Sequence, residues 1–89
     1  SADCLNMGIA NKVVELDKLA SETKKWAEHL SKRSPQALSL TKKLMNDSMT
    51  QSYDETFKAE AEAQNNIFGS DENMEGVKAF LEKREPDFK

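Results

Sequence analysis

The feature that most constrains the fold of this chain is the Gly69-Ser70 junction, where one predicted helix ends and another begins. Glycine is favoured just past a helix C-terminus because it adopts the left-handed backbone conformation without strain, and serine is a favoured N-cap. Asp71 then places negative charge at the positive end of the second helix dipole, and Pro86 stops that helix. The junction therefore predicts two consecutive helices, against which the upstream segments pack.

Further helices are predicted upstream from apolar residues that recur at three- and four-residue spacing over residues 16–33, 35–49 and 53–68. Residues 1–7 are predicted to be the end of another helix, with Gly8 at its C-terminal cap. The fold class is therefore mainly α, with about four amphipathic helices after the first segment.

Polar residues at the start of each segment predict where these helices begin. Asp17 is the predicted N-cap of the first, and Ser34 followed by Pro35 opens the second, since proline is tolerated at the first helical position. Ser52 and Glu55 have the spacing of a capping box for the third.

The one predicted strand is the short β-branched segment of residues 9–15. A lone strand leaves its backbone donors and acceptors unpaired, so it is expected to join a sheet that this chain does not contain. The segment therefore suggests a piece of a larger protein.

Length and composition limit the class of protein. The 89 residues suit one small domain, and 37% apolar with 33% charged residues are typical of helices that each bury one stripe. A net charge of −3 argues against a nucleic-acid partner, and no apolar run approaches the roughly 20 residues that span a membrane. One cysteine excludes an internal disulfide, and a cytoplasmic location is expected.

No catalytic or metal-binding constellation is predicted. His29 is the only histidine, and a zinc site needs three or four ligands, so it is interpreted as a surface residue. Cys4 has no basic neighbour to activate it. Glu60 and Glu62 are two residues apart and lie on different helix faces, which disfavours an acid/base pair.

One basic group lies near an aromatic residue, Phe80, and comprises Lys78, Lys83, Arg84 and Lys89. These charges complement the negative end of the last helix dipole, which is the simpler interpretation. They are also suited to anchor a phosphate-bearing ligand whose base stacks on the phenylalanine. The residues alone leave both interpretations open.

The ordered set of segments resembles the C-terminal part of the enoyl-CoA hydratase/isomerase (crotonase) family. The most specific part is the closing run EGVKAFLEKR, followed by PDF. The other matching positions, in the family's order, are residues 2–14, 34–38, 42, 60–64 and 68–72.

This resemblance implies one helical module over residues 1–89, in which 1–15 end a preceding core and 16–89 form a C-terminal oligomerisation region. In the family that region assembles trimers, which often pair as hexamers. The oxyanion hole and catalytic carboxylates belong to an upstream spiral, so the resemblance implies a parent lyase or isomerase but no catalytic residue here. It implies acyl-CoA as substrate, without a covalent cofactor.

The resemblance also implies that Phe80 contacts the adenine of CoA and that Lys83 contacts a phosphate. Many relatives have a base where this chain has Glu85, which weakens the local positive field. A free-standing helical interaction or homo-oligomerisation module without catalytic activity is the alternative, and a small helical acyl-CoA carrier is a third. The acyl chain and the reaction type remain open.

Overall fold

The computed structural model describes residues 1–88 and is built from helices and short connections. The described residues form two compact units, Ser1–Leu30 and the part from Ser31 onward. Their helices are α1 (Ala2–Asn6), a 3₁₀ turn (Leu16–Lys18), α2 (Leu19–Ser31), α3 (Pro35–Ser48), α4 (Tyr53–Ile67) and α5 (Asp71–Glu82). The mainly α fold class is confirmed.

The first unit begins with α1, which ends as predicted at a left-handed glycine, Gly8, with φ +75°. The predicted strand over residues 9–15 is wrong, because no strand forms among residues 1–88 and this segment is irregular. The backbone N–H groups of Ile9 and Ala10 both donate to the carbonyl of Cys4, at 2.9 and 3.1 Å. A strand also needs a neighbouring strand for its ladder of hydrogen bonds, and the described chain offers none.

The start of α2 also differs from the prediction. Asp17 lies inside the 3₁₀ turn, and the residue before that turn, Glu15, makes no side-chain capping bond. The hydroxyl of Ser21 instead donates to the carbonyl of Lys18 at 2.9 Å. The helix therefore starts through a tight turn and not through a capping side chain.

The three helices of the second unit start at the predicted serines. The hydroxyl oxygen of Ser34 accepts from the backbone N–H of Ala37 at 3.0 Å, with proline in the first turn. Ser52 and Ser70 accept in the same way from the N–H groups three residues ahead, at 3.2 Å in both cases. The predicted capping box is half formed, because the Glu55 carboxylate accepts from the Ser52 hydroxyl and not from its backbone.

Two contacts organise the second unit. Helix α3 packs against α4, and a shallow groove between them is lined by Thr41, Leu44 and Thr56. Helix α5 is tied to α3 by Glu72, whose carboxylate accepts from the hydroxyl of Ser34 and, at 3.1 Å, from the backbone N–H of Gln36. The N-terminal ends of α3 and α5 therefore lie side by side.

Burial is slight across the described residues. The only buried apolar residues among them are two alanines, Ala63 of α4 and Ala79 of α5. Most large apolar side chains of the second unit are exposed, and the most exposed are Met49, Tyr53, Phe68, Phe80 and Leu81. The second unit thus leaves most of its large apolar side chains exposed.

Candidate functional site

The candidate site is the C-terminal end of α5, where Phe80 and Lys83 lie one helical turn apart. The backbone N–H of Lys83 donates to the carbonyl of Phe80 at 3.3 Å, which closes the last turn. Phe80 is 82% exposed and Lys83 is also exposed. An uncovered aromatic face and an ammonium group are therefore presented together at one helix end.

Lys83 has an unusual backbone conformation. With φ +55° and ψ +42° it is in the left-handed region, and it is the only residue other than glycine with positive φ in residues 1–88. This conformation lets the next N–H, of Arg84, donate to the carbonyl of Ala79 at 3.0 Å. Glycine normally takes this capping position, because a Cβ is strained there.

Arg84 is held by two carboxylates. Its Nη1 and Nη2 donate to the two carboxylate oxygens of Glu75 at 2.6 and 3.1 Å, and its Nε donates to Glu82 at 2.6 Å. The Glu75 carboxylate also accepts from the backbone N–H of Asp87 at 3.0 Å. The Arg84 guanidinium, followed by that N–H, lowers the pKa of Glu75 from 4.5 to about 2, and the pKa of Arg84 is raised.

These contacts divide the predicted basic group. Arg84 is committed to Glu75 and Glu82 and serves to fold the chain end back, so it is not an available ligand for phosphate. Lys83 makes no side-chain hydrogen bond or ion pair with any residue from 1 to 88. Lys78 is exposed on α5, and Lys89 lies outside the described residues. Lys83 is therefore an uncommitted cation one helical turn from Phe80.

A groove runs beside Phe80 and is partly filled by the folded-back chain end. Its walls include Ile67, Val77 and Leu81, and the ring of Phe88 lies over Gly76. A Cβ built on Gly76 would lie 3.9 Å from that ring, an ordinary contact distance. Residues 84–88 are thus anchored twice, by Glu75 through polar bonds and at Gly76 through an aromatic contact.

The first unit holds a second charged cluster. The Lys12 and Lys25 ammonium groups lie 2.5 and 2.8 Å from the Glu22 carboxylate, and their hydrogen bonds, Lys12 first, lower its pKa from 4.5 to about 2. Trp26 lines the adjacent shallow groove and is half exposed. Both cations are satisfied by one carboxylate, so the cluster stabilises the segment before α2 and leaves no unpaired charge for a ligand.

The residues interpreted from the sequence as having no catalytic or metal-binding role are exposed. Cys4 is an exposed free thiol, and Glu60 and Glu62 are exposed on α4. His29 is exposed and has an interaction partner. Within residues 1–88 no three metal-ligating side chains converge, and no helix has the length and apolar character to cross a bilayer.

The sequence analysis missed the Glu75–Arg84 pair. The two residues are nine apart, which is neither of the spacings that bring side chains together on a helix. They meet because the chain reverses at Lys83, and no glycine marks that reversal. The only signal of this reversal in the sequence is Pro86, because a proline at that position requires the helix to have ended before it.

Comparison with known proteins gives a consistent result over the whole chain. The family model described as enoyl-CoA hydratase/isomerase matches residues 1–89. A crotonyl-CoA hydratase of Syntrophomonas wolfei is 34% identical over 86 residues, which are 97% of this chain and 33% of that protein. A methylmalonyl-CoA decarboxylase of Escherichia coli is 34% identical over 87 residues, 94% of this chain and 33% of the relative.

Solved structures extend the likeness to the fold. A crystal structure of an enoyl-CoA hydratase from a Polaromonas species superposes with a TM-score of 0.93 at 27% identity, and the match covers 100% of this chain and 35% of that one. The chain therefore spans about a third of the length of the relatives that it matches.

Proposed function

The chain belongs to the enoyl-CoA hydratase/isomerase family, and we propose that it is the C-terminal assembly and CoA-contacting region of an enzyme of that family. The whole enzyme would hydrate or isomerise an acyl-CoA double bond, with an enolate oxygen held by backbone N–H groups. The family resemblance implies that those groups would lie upstream of the region that this chain matches. These residues therefore contribute to assembly and ligand binding and are not catalytic alone, and a cytoplasmic location remains a prediction.

The exposed apolar surface supports the assembly role. Tyr53 and Phe57 of α4 are 82% and 62% exposed, and their rings stack on each other with centroids 6.3 Å apart. On α5, Phe80 and Leu81 are 82% and 73% exposed. Apolar surface of this extent is typical of a region that is covered in an assembly, by another copy or by the rest of the polypeptide.

The CoA contact is supported by the pair at the end of α5, and this is the observation that carries the proposal. The exposed face of Phe80 is suited to stack on adenine, and the uncommitted ammonium of Lys83, one turn away, is suited to a phosphate. Together, the aromatic face and the ammonium group suit a ligand in which a base and a phosphate lie within a few ångströms of each other. CoA is such a ligand, and the substrates named for the two relatives are CoA thioesters.

The assembly role is tested on the native polypeptide, which means the polypeptide that contains this sequence, in the form in which its source cells produce it. We expect an intact mass well above that of 89 residues and, by native mass spectrometry, three or six copies. A native polypeptide of this length, or a monomer at micromolar concentration, would contradict the proposal. In the first case the free-standing interaction module, which the exposed apolar surface also favours, becomes the better interpretation.

The CoA contact is tested by calorimetric titration of the native polypeptide with CoA. Phe80→Ala and Lys83→Ala should each weaken binding about tenfold, the effect of losing one stacking or charge-assisted contact. Lys58→Ala is the control, since it removes an exposed lysine from α4, outside the basic group. Unchanged affinity in both test variants would refute the site.

A further inference from the structure

We propose that Glu75 is a positioning residue for Lys83, and that it acts by fixing the backbone that follows it. Because it acts through Lys83, this role rests on the CoA contact proposed for that lysine. The relevant observations are the conformation of Lys83, the bonds that converge on Glu75, and the lack of any side-chain support for Lys83 itself.

The conformation of Lys83 needs support from elsewhere in the structure. A left-handed lysine is unfavourable, and such residues persist only where surrounding contacts determine them. Its own side chain offers no support, since it contacts no hydrogen-bonding or charged partner within residues 1–88. The two capping hydrogen bonds of the last turn, to the carbonyls of Phe80 and Ala79, are its only local restraint.

Glu75 supplies the missing restraint. Both of its carboxylate oxygens are used: one accepts from Nη1 of Arg84 at 2.6 Å and from the N–H of Asp87 at 3.0 Å, and the other accepts from Nη2 of Arg84 at 3.1 Å. One side chain in the middle of α5 thus holds the residue directly after Lys83 and another three positions further along. With both positions fixed, the direction in which the lysine side chain leaves the helix is fixed as well.

The arrangement also explains why Glu75 has this role and Glu82 does not. Glu82 accepts only from Nε of Arg84, two residues away, so its contact is local and leaves Asp87 unrestrained. Glu75 contacts Arg84 through a bidentate pair and is the only one of the two that also reaches the backbone beyond. A bidentate pair fixes orientation as well as distance.

A double-mutant cycle in the native polypeptide tests the proposal. Calorimetric titration with CoA should give about tenfold weaker binding for Glu75→Ala, and a change within twofold when the same substitution is made in the Lys83→Ala background. Pantetheine, which lacks the nucleotide and its phosphates, should bind wild type and Glu75→Ala equally. Arg84→Ala, which breaks the same pair from the other side, should reproduce both results.

Two further variants separate positioning from general loss of structure. Asp47→Ala removes an exposed ion pair with Lys43 in the same unit and should leave CoA affinity unchanged. The charge-swapped Glu75→Arg, Arg84→Glu variant should recover most of the affinity lost by Glu75→Arg alone. The circular dichroism of every variant should match that of wild type.

The outcomes distinguish the positioning role of Glu75 from the CoA contact of Lys83, on which it rests. If Lys83→Ala leaves CoA affinity unchanged, the CoA contact proposed for Lys83 fails, and with it any positioning role that acts through this lysine. If Lys83→Ala weakens binding but Glu75→Ala does not, the contact stands and the positioning role is refuted. The same conclusion holds if Glu75→Ala weakens binding equally in the wild-type and Lys83→Ala backgrounds. An equal loss of pantetheine affinity in Glu75→Ala would refute that role too.

Discussion

The carboxylate of Glu72, in the first turn of α5, accepts a hydrogen bond from the hydroxyl of Ser34, the residue that caps α3. The same hydroxyl accepts from the N–H of Ala37, and the same carboxylate accepts from the N–H of Gln36. Two helix N-termini that are far apart in sequence thus share one small network, in which every donor has an acceptor. The relation also places negative charge at the positive ends of two helix dipoles.

Glu72→Ala should therefore lower the free energy of unfolding by about 1 kcal/mol or slightly more, because two partly buried hydrogen bonds are lost and α3 loses its anionic cap. Urea denaturation of the native polypeptide measures this change. Glu62→Ala is the control, since it removes an exposed glutamate from α4. Equal stability of the two variants would mean that the link between α3 and α5 has no energetic role.

Lys83→Gly should stabilise the protein by about 1 kcal/mol, because glycine adopts the left-handed conformation without a Cβ penalty. The same variant should lose CoA affinity, since the ammonium group is gone. Opposite changes in stability and binding are the expected mark of a residue kept for its side chain and not for its backbone. Urea denaturation and CoA titration measure the two effects.

The control for this experiment is Lys78→Gly, which places glycine inside α5 and should destabilise by about 1 kcal/mol. A destabilised Lys83→Gly variant would show that the lysine side chain has a structural partner in the assembled protein, and the strain argument would then be wrong.

Gly76→Ala should stabilise α5 by about 1 kcal/mol, the usual gain when alanine replaces glycine inside a helix. The Phe88 ring lies 3.9 Å from the new Cβ and does not obstruct it. Gly69→Ala is the contrasting variant, because Gly69 has φ +80° and any Cβ there is strained. We expect opposite shifts of the urea midpoint, and a destabilised Gly76→Ala would show that a further segment packs against this helix.

Stability should depend on pH through Glu75. The pKa of Glu75 is about 2 in the folded chain and 4.5 where its contacts are absent. Its contribution to the free energy of unfolding is therefore fully present above pH 4.5 and is lost as the pH falls toward 2. Thermal melts of wild type and Glu75→Gln should differ at pH 7 and converge in acid. Glu22 titrates over the same pH range because of its bonds to Lys12 and Lys25. The quantity to compare is therefore the difference in melting temperature between the two proteins, and not the wild-type melting temperature alone. A difference that persists unchanged at pH 2 would contradict the role of the charge.

The correct predictions of where helices begin and end rested mostly on residues that act on their immediate neighbours in the sequence. Ser34, Ser52 and Ser70 begin helices because a serine hydroxyl satisfies an N–H three residues away, which is a property of the sequence alone. Gly8 and Gly69 end helices for a similarly local reason. The family resemblance, confirmed over all 89 residues, rested on the order of such segments.

The predictions failed where the decisive contact is not local. Residues 9–15 have the composition of a strand, but a strand requires a partner that the described chain does not supply. The Glu75–Arg84 pair depends on a chain reversal at a lysine, where statistics favour glycine. The roles of Phe80 and Lys83 came from the resemblance, and the structure adds that both are exposed and that the neighbouring Arg84 is already engaged.

The left-handed turn at Lys83 also has a thermodynamic consequence for any ligand that this lysine contacts. A lysine at a frayed helix end must lose backbone freedom when it binds, which opposes association by roughly 1–2 kcal/mol for each ordered residue. Here residues 84 and 87 are already held before a ligand arrives, so most of that ordering entropy is lost during folding. Binding through Lys83 is then opposed mainly by the side-chain rotamers, and the site is preorganised for its anion.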